Sequence, residues 1–272
     1  MRVVKSLITH CLGLLAELAD ARAGMRVTDL AAALDEPKSS VQRLLGQLAA
    51  EGWVEQDGET GHYRLTLRLA TLGQRHLQAI GITDASSAIL DQLARQTREL
   101  VRLTIVDGTR LVWIGSAQGA PPGLMYEPGM GHQIVSFATA NGKAWLSTLT
   151  AEEALRIANS DGLGRSAPRP GIGPRVMKSG DAVLADLAQI RQRRYALALE
   201  EAEPGVNAVA IAIVEPSTST TMGTVSVAGP SVRMAPRKLA EFAEILHSAA
   251  GDLVALWPAK AATGATVARP AS

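Results

Sequence analysis

The sequence predicts an α+β protein in which a small helical domain with a β-hairpin precedes a larger domain of mixed strands and helices. Residues 27–66 contain two short helical patterns followed by two short strand patterns, and from residue 83 onward strand patterns alternate with amphipathic helical ones. A further helical pattern joins the two regions. We expect domains at 1–66 and 83–257, a linker helix at 67–82 and a disordered tail at 258–272.

The composition provides an ample core with few aromatic residues. Hydrophobic residues make up 47% of the 272 positions and aromatic residues 3%, so Ala, Val, Leu and Ile must fill the core. No apolar run approaches the roughly 20 residues of a membrane-spanning helix, and the N-terminus lacks the pattern of a signal peptide. The single cysteine, Cys11, excludes an internal disulfide and a multi-cysteine metal site. We therefore expect a cytoplasmic protein without a membrane span.

The small domain should begin with three helices. Leucines recur at helical spacing over residues 7–18, where Cys11 is expected to be a small core residue. Thr28 is a good N-cap for the second helix, because its hydroxyl can accept a hydrogen bond from a backbone N–H that is otherwise unpaired. Pro37 suits the start of the third helix, since its fixed φ is helical and its missing N–H is not needed there.

The third helix has one apolar and one polar face. Val41, Leu44, Leu45 and Leu48 follow the i, i+3, i+4, i+7 pattern of a buried stripe. The other face offers cations, hydroxyls and carboxamides, the groups that reach DNA phosphates and base edges, with no acid before Glu51. The residues of this polar face are Lys38, Ser39, Ser40, Gln42, Arg43 and Gln47.

A β-hairpin should follow the third helix. Gly52 can end the helix in the left-handed region, and two strand patterns joined by a glycine-containing turn occupy residues 53–66. Helix, turn, helix and hairpin make a winged helix-turn-helix, in which the polar face of the third helix would enter the major groove of DNA. Thr28 and the wing residue Arg64 complete the expected set of DNA contacts.

Two other interpretations stay open on these residues alone. A polar helix face is often only solvated, and basic and acidic residues balance within residues 1–76, so a winged-helix module that binds another protein is an alternative. A small-molecule enzyme with a helical appendage is another, but it needs a nucleophile–base pair or a metal cluster. The five histidines, including the loop residue His132, have no metal-ligand spacing, and Glu200, Glu201 and Glu203 are expected in a solvated loop. We predict no enzymatic activity, no metal and no cofactor.

The larger domain should alternate helices and strands. Asp107-Gly108-Thr109 between two apolar stretches is a clear hairpin signal, and Thr150 with Glu153 has the pattern of a capping box at a helix start. Residues 159–180, rich in Gly, Pro and Arg, should form a mobile surface loop. Further helices are expected at 83–98 (capped by Thr83-Asp84), after Ala140, at 181–194 and at 235–256, and strands at 100–107, 110–115, 124–126, 195–199, 206–214 and 223–228.

Several segments of the chain resemble one known family. The runs VTDLAAAL, PKSSVQRLLGQLAAEGWVEQ and YRLTLRLATLG are similar to the DNA-binding domain of the IclR family of bacterial transcriptional regulators, and the resemblance extends to about Leu256. It implies a GAF-like effector-binding domain with a central antiparallel sheet after the linker helix. It also implies that the linker helix contributes to a dimer interface, and that a homodimer or a dimer-of-dimers tetramer binds a palindromic operator in double-stranded DNA.

The same resemblance maps an effector pocket. The run FATANGKA at 137–144 resembles the HATALGKA loop of the family, where backbone N–H groups at a helix start bind an anionic effector. Ala140 and Asn141 fall at those donor positions, and the Asn141 side chain adds a donor and an acceptor. An ordinary helix cap is the alternative.

The remaining pocket positions depart from the family pattern. An acidic residue and a cysteine that commonly contact the effector are replaced by Ala198 and Ala208, which makes the pocket wider and more apolar. Trp113 is expected as a flat wall or as a core residue, and Ser226 as a donor to a ligand or to backbone. We therefore predict a repressor of a catabolic operon that senses a small carboxylate-type or carbonyl-bearing metabolite with an apolar body, for which an aromatic ring is suitable.

Overall fold

The computed structural model describes residues 6–128, 134–165 and 171–257. It divides the chain into two compact units, Met1–Ala79 and Ile80–Ser272. Its first elements are three helices, a two-stranded antiparallel sheet and a fourth helix: α1 (Leu7–Asp20), α2 (Val27–Leu34), α3 (Lys38–Ala50), β1 (Val54–Gln56), β2 (Tyr63–Leu65) and α4 (Arg68–Ile80).

The core of the first unit is built from aliphatic side chains of three helices. Leu14 of α1, Leu30 of α2 and Leu45 of α3 have no exposed surface, and Cys11 packs against the same cluster. The apolar stripe predicted on α3 is therefore the face that holds it in the unit. The hairpin joins this core through Tyr63, whose backbone N–H and C=O both pair with Met25, at 2.8 and 2.9 Å.

Two predicted helix caps are wrong. Helix α2 begins at Val27 with Arg26 as its N-cap, and Thr28 lies inside the helix, where its hydroxyl donates to Asp29 Oδ1 at 3.3 Å. Helix α5 likewise begins after Gly81, so Thr83-Asp84 lie inside its first turn. In both helices an apolar residue, Val27 or Ile82, is buried at the first helical position. Packing of that residue against the core sets the helix start in place of the hydroxyl cap.

The second unit is a five-stranded sheet with helices on both faces. The strand order is β4-β3-β7-β6-β5, and every neighbouring pair is antiparallel. Helices α5 and α9 pack on one face and on each other, and α6 packs on β5, β6 and β7 at the other face. The elements are α5 (Ile82–Thr97), β3 (Leu100–Asp107), β4 (Arg110–Gln118), α6 (Ala140–Leu146), α7 (Ala151–Ser160), α8 (Gly180–Arg193), β5 (Ala196–Leu199), β6 (Val206–Val214), β7 (Thr221–Pro230) and α9 (Pro236–Leu256). The predicted α+β class with a central antiparallel sheet is confirmed.

Small side chains line the sheet face beneath α6. Ala196 of β5 pairs with Ala210 of β6, and Ala198 pairs with Ala208. Since successive residues of a strand point to opposite faces, all four methyl groups lie on one face. A methyl group fills little of the space between a sheet and a helix, so this face can hold a cavity.

The strand predicted at 124–126 is absent. Arg233 donates to the carbonyl of Leu124 at 2.7 Å, and Gln118 donates to the carbonyl of Tyr126 at 3.0 Å. Side chains therefore use backbone groups that a neighbouring strand would otherwise pair with.

Some predictions concern parts of the chain that are not described. His132, the 166–170 part of the predicted mobile loop and the predicted disordered tail at 258–272 lie outside the described residues. Within the described ranges, no helix is both long and apolar enough to cross a membrane.

Replacing Ile211 by Ala should lower the free energy of unfolding by about 2–5 kcal/mol, because a buried aliphatic side chain of β6 is lost and a void is left. Ile211 is 1% exposed. Val232→Ala is the matched control, since Val232 is 81% exposed and its loss should change stability by less than about 0.5 kcal/mol. Urea denaturation of the two variants measures the difference, and equal losses would show that Ile211 is not a core residue.

Candidate functional site

The first candidate surface is the polar face of α3. Lys38, Gln42 and Arg43 are exposed on this helix, while Val41 and Leu44 hold its other side in the core. Within the described part of the chain, no side-chain hydrogen bond or ion pair is formed by any of the six residues of this face, Lys38, Ser39, Ser40, Gln42, Arg43 and Gln47. The helix therefore presents donors, acceptors and two cations that are not used within the protein.

The C-terminal end of α3 is held by residues at the start of α4. The Arg68 guanidinium lies 4.9 Å from the centre of the Trp53 ring and donates to the carbonyl of Glu51. The Thr66 hydroxyl donates to the carbonyl of Gly52 at 2.7 Å. These contacts tie the C-terminal end of α3 to the start of α4, so the two helices hold a fixed relation at this point.

The other two predicted DNA contacts lie elsewhere in the first unit. Thr28 is exposed in the first turn of α2. Arg64, on the wing, forms an ion pair with Glu55 of the opposite strand at 2.8 Å, with both side chains more than half exposed. Such an exposed pair contributes little stability, so it does not prevent Arg64 from reaching a phosphate.

The second candidate site is a cavity of about 510 Å³ between the sheet and α6. Its wall includes the alanine-rich face of β5 and β6 and the first residues of α6. The structure brings all of the predicted effector-binding residues to this one cavity: Trp113, Ala140, Asn141, Ala198, Ala208 and Ser226.

The start of α6 is anchored to the sheet by side chains. The Thr139 hydroxyl accepts from the Gly142 N–H at 3.1 Å and caps the helix. Asn141 Nδ2 donates to the Thr224 hydroxyl at 2.9 Å, and that hydroxyl is 2.6 Å from the hydroxyl of Thr104. One N–H of the Asn141 amide therefore positions the helix, and the effector contact of this residue stays a prediction.

A buried ion cluster holds the other side of α6. The Lys143 ammonium, on a residue only 1% exposed, lies 2.8 Å from both carboxylate oxygens of Glu201 and 2.9 Å from Asp186 of α8. Burial raises the pKa of the Glu201 carboxyl, and the Lys143 charge opposes that rise. The expectation of a solvated loop at Glu201 is wrong, because a long-range partner neutralises its buried charge.

Three polar residues of the cavity were missed by the sequence analysis. Arg102 of β3 is 5% exposed, and its guanidinium carbon lies 3.4 Å from the centre of the Trp113 ring. Burial lowers the pKa of Arg102 to about 10, so it stays charged at neutral pH. Tyr126 donates to Glu203 Oε1 at 2.7 Å, which corrects the expectation that Glu203 is only solvated. The one available signal was an arginine inside an otherwise apolar strand.

The chemistry of the cavity is suited to binding. It combines a cation, a hydroxyl–carboxylate pair and an apolar wall, the usual composition of a small-molecule pocket. Among the described residues, no group of three or more His, Cys, Asp or Glu side chains is placed to hold a metal ion.

The chain matches two parts of one protein family. Residues 8–58 match the IclR helix-turn-helix domain, and residues 74–255 match the C-terminal domain described as bacterial transcriptional regulator IclR C-terminal. Together the two matches include α3 and every residue predicted for the cavity.

Curated relatives and solved structures agree with this match. The chain is 28% identical to the transcriptional regulator KdgR of Escherichia coli, covering 92% of each chain. It is 27% identical to the transcriptional repressor AllR of Salmonella paratyphi A, covering 84% of this chain and 80% of AllR.

Among solved structures, an IclR regulator of Alicyclobacillus acidocaldarius has a TM-score of 0.77 at 21% identity, covering 92% of this chain and 97% of its own. An IclR homologue of Microbacterium hydrocarbonoxydans, solved in complex with 4-hydroxybenzoate, has a TM-score of 0.70 at 19% identity, covering 93% and 99%. These two likenesses concern the fold. The family matches show that the chain belongs to the IclR family of DNA-binding bacterial transcriptional regulators, which are not enzymes.

Proposed function

We propose that this regulator is a repressor of a catabolic operon and that a small carboxylate-type or carbonyl-bearing metabolite with an apolar body controls it. The observation that carries the proposal is the polar face of α3, whose side chains form no hydrogen bond or ion pair within the described residues. Unused donors and cations on a helix held only by its apolar side are what a major groove requires. The protein would act in the cytoplasm, where bacterial DNA lies.

The cavity supports the effector part of the proposal. Its alanine wall favours an apolar body. Ala140 and Asn141 line it at the first two positions of α6, where the backbone N–H groups of a helix start favour an anion or a carbonyl oxygen. The Microbacterium relative binds 4-hydroxybenzoate, an acid with an aromatic ring. An aromatic acid of that size fits within a cavity of about 510 Å³.

The exposed apolar side of α4 supports assembly into a homodimer or a dimer-of-dimers tetramer. No residue of α4 is buried, and two of its leucines lie in water: Leu69 is 37% and Leu72 is 50% exposed. Leu67, just before the helix, is 82% exposed. Large apolar side chains at helical spacing are costly in water, and a second copy of the same helix would cover them. Two DNA-reading units would then bind a palindromic operator.

Arg43→Ala should weaken operator binding by about 1–3 kcal/mol with the fold unchanged, because a cation that reaches a phosphate or a base is lost. The measurement is fluorescence anisotropy with the DNA upstream of its own gene, over a series of salt concentrations. The control is Arg156→Ala, an exposed arginine of α7 in the second unit. Equal affinity of the Arg43 variant and wild type would exclude α3 as the reading helix.

The same titration distinguishes the proposed DNA-binding regulator from a second candidate function, a winged-helix module that binds another protein. Basic and acidic residues balance in the first unit, which favours a module that binds a protein. Such a module would show no salt-dependent affinity for its upstream DNA.

Leu72→Glu should dissociate the dimer, since a charge in an apolar interface pays a desolvation penalty. The shift in the dimerisation constant should be at least about tenfold, and sedimentation velocity measures it. Gln78→Glu adds the same charge on the opposite side of α4 and should leave the dimer intact. A Leu72 variant with the oligomeric state of wild type would remove this helix from the interface.

Aromatic acids should bind the protein and pyruvate should not, because the positions of the two polar family contacts carry only methyl groups in Ala198 and Ala208. Calorimetric titration of the full chain with each acid gives the comparison. Tight pyruvate binding without aromatic binding would overturn the proposed effector class.

A further inference from the structure

A second cleft of this unit lies at the edge of the sheet. Strand β5 is at one end of the strand order and begins at Ala196, opposite Ala210 of β6. Strand β6 continues to Val214, so its last residues extend beyond β5. A cleft of about 650 Å³ lies there, between the ends of α6 and α8 and the second half of α9. Its lining and that of the cavity beneath α6 share no described residue, so it is a separate candidate site.

The floor of this cleft is apolar. Ala212 and Val214 of β6 and Ala250 and Val254 of α9 line it, and all four are partly exposed. Gly251 lies among them, and a Cβ added to it would meet no side chain or neighbouring element within 4 Å. An apolar chain can therefore lie along the floor, where burial of its methylene groups is favourable.

The rim of the cleft at the end of α8 is basic. Arg191 and Arg194 line it and are exposed, whereas Arg193 is paired with Asp186 at 3.4 Å. Among the described residues of the lining, Glu244 is the one acid. Two arginine charges against one carboxylate leave a surplus of positive charge at the rim, which attracts a single anionic group.

The Arg191 guanidinium is held in place by backbone carbonyls. Its Nε donates to the carbonyl of Ser147 at 2.7 Å, and its Nη2 donates to the carbonyl of Leu149 at 3.1 Å. These carbonyls follow α6, and without a cation their partial negative charge would repel an anion. Because a guanidinium carries five N–H donors, Arg191 keeps donors for a ligand after these two bonds.

Arg194 is fixed through its backbone, and its side chain is not used. It ends α8 in the left-handed region, its N–H donates to the carbonyl of Ile190 at 2.6 Å, and its own carbonyl accepts from the His247 ring. Within the described residues its side chain forms no hydrogen bond or ion pair. Burial and the Arg194 charge lower the pKa of His247, so the ring is neutral at neutral pH and adds no charge to the rim.

We propose that this cleft binds a singly charged amphipathic anion, with its carboxylate-type head at Arg191 and Arg194 and its apolar chain on the floor between β6 and α9. Capping of α6 accounts for Arg191 alone, and a second arginine beside it gives two cations for one head group. A cationic head is disfavoured because both arginines would repel it. The proposal does not depend on whether the cavity beneath α6 is the effector site.

The test is calorimetry of the full chain with three probes: octanoate, octanol and acetate. Octanol has the chain without the charge, and acetate has the charge without the chain. Octanoate should bind about tenfold or more tightly than either, since each of the others lacks one of the two contacts. No binding of octanoate, or equal binding of octanoate and octanol, would overturn the proposal.

Variants then locate the bound molecule. Gly251→Leu fills the floor without a clash and should weaken octanoate binding about tenfold or more, while the loss of a helical glycine does not harm the helix. Arg194→Met should also weaken binding, and Glu244→Gln should strengthen it because an opposing charge is removed. Ala255→Leu on α9 and Arg156→Met on α7 are the controls, since both residues are exposed and outside the lining, and should bind like wild type.

The opposite signs of the two charge variants separate a binding site from a general effect on the fold. Thermal unfolding shows whether each variant folds, and if Gly251→Leu does not, Arg194→Met and Glu244→Gln decide. A loss of structure would lower the affinity in both charge variants. Unchanged octanoate affinity in a folded Gly251→Leu or Arg194→Met variant would show that the molecule binds elsewhere and would overturn the proposal.

Discussion

The cavity of the second unit depends on how the short helix α6 is attached to the sheet. On one side the Asn141 amide reaches the paired hydroxyls of Thr224 and Thr104, and on the other Lys143 is held between Glu201 and Asp186. Each of these groups would be costly to bury without its partner. The contacts that satisfy the polar groups of α6 therefore also set the distance between helix and sheet, and the cavity occupies that space.

Small residues in the sheet complete this arrangement. If the alanines of β5 and β6 were leucines, the space under α6 would be filled and the cavity would close. Ala198 and Ala208 bring only methyl groups to the cavity, and its charged groups come from β3 and from the segment around Glu203. The charged and the apolar parts of the cavity wall therefore belong to different elements of the unit.

The sequence allowed prediction where the signal is local or periodic. The apolar stripe of α3 and its polar face follow from helical spacing, and the six residues that the family resemblance pointed to all line one cavity. Two other kinds of feature could not be predicted. The predicted caps at Thr28 and Thr83 are wrong because the helices begin one residue before them, at the buried Val27 and Ile82. That burial depends on tertiary packing. The pair Tyr126–Glu203 joins residues 77 positions apart, and no local pattern shows such a contact.

The independence of the α3 surface from the rest of the protein has a consequence for evolution. Its exposed side chains form no hydrogen bond or ion pair within the described residues, so replacing them costs little folding free energy. If this face reads DNA as proposed, a lineage can exchange one recognised base sequence for another through single substitutions, each of which leaves the scaffold intact. Divergence of target genes among relatives would then be fast compared with divergence of the fold.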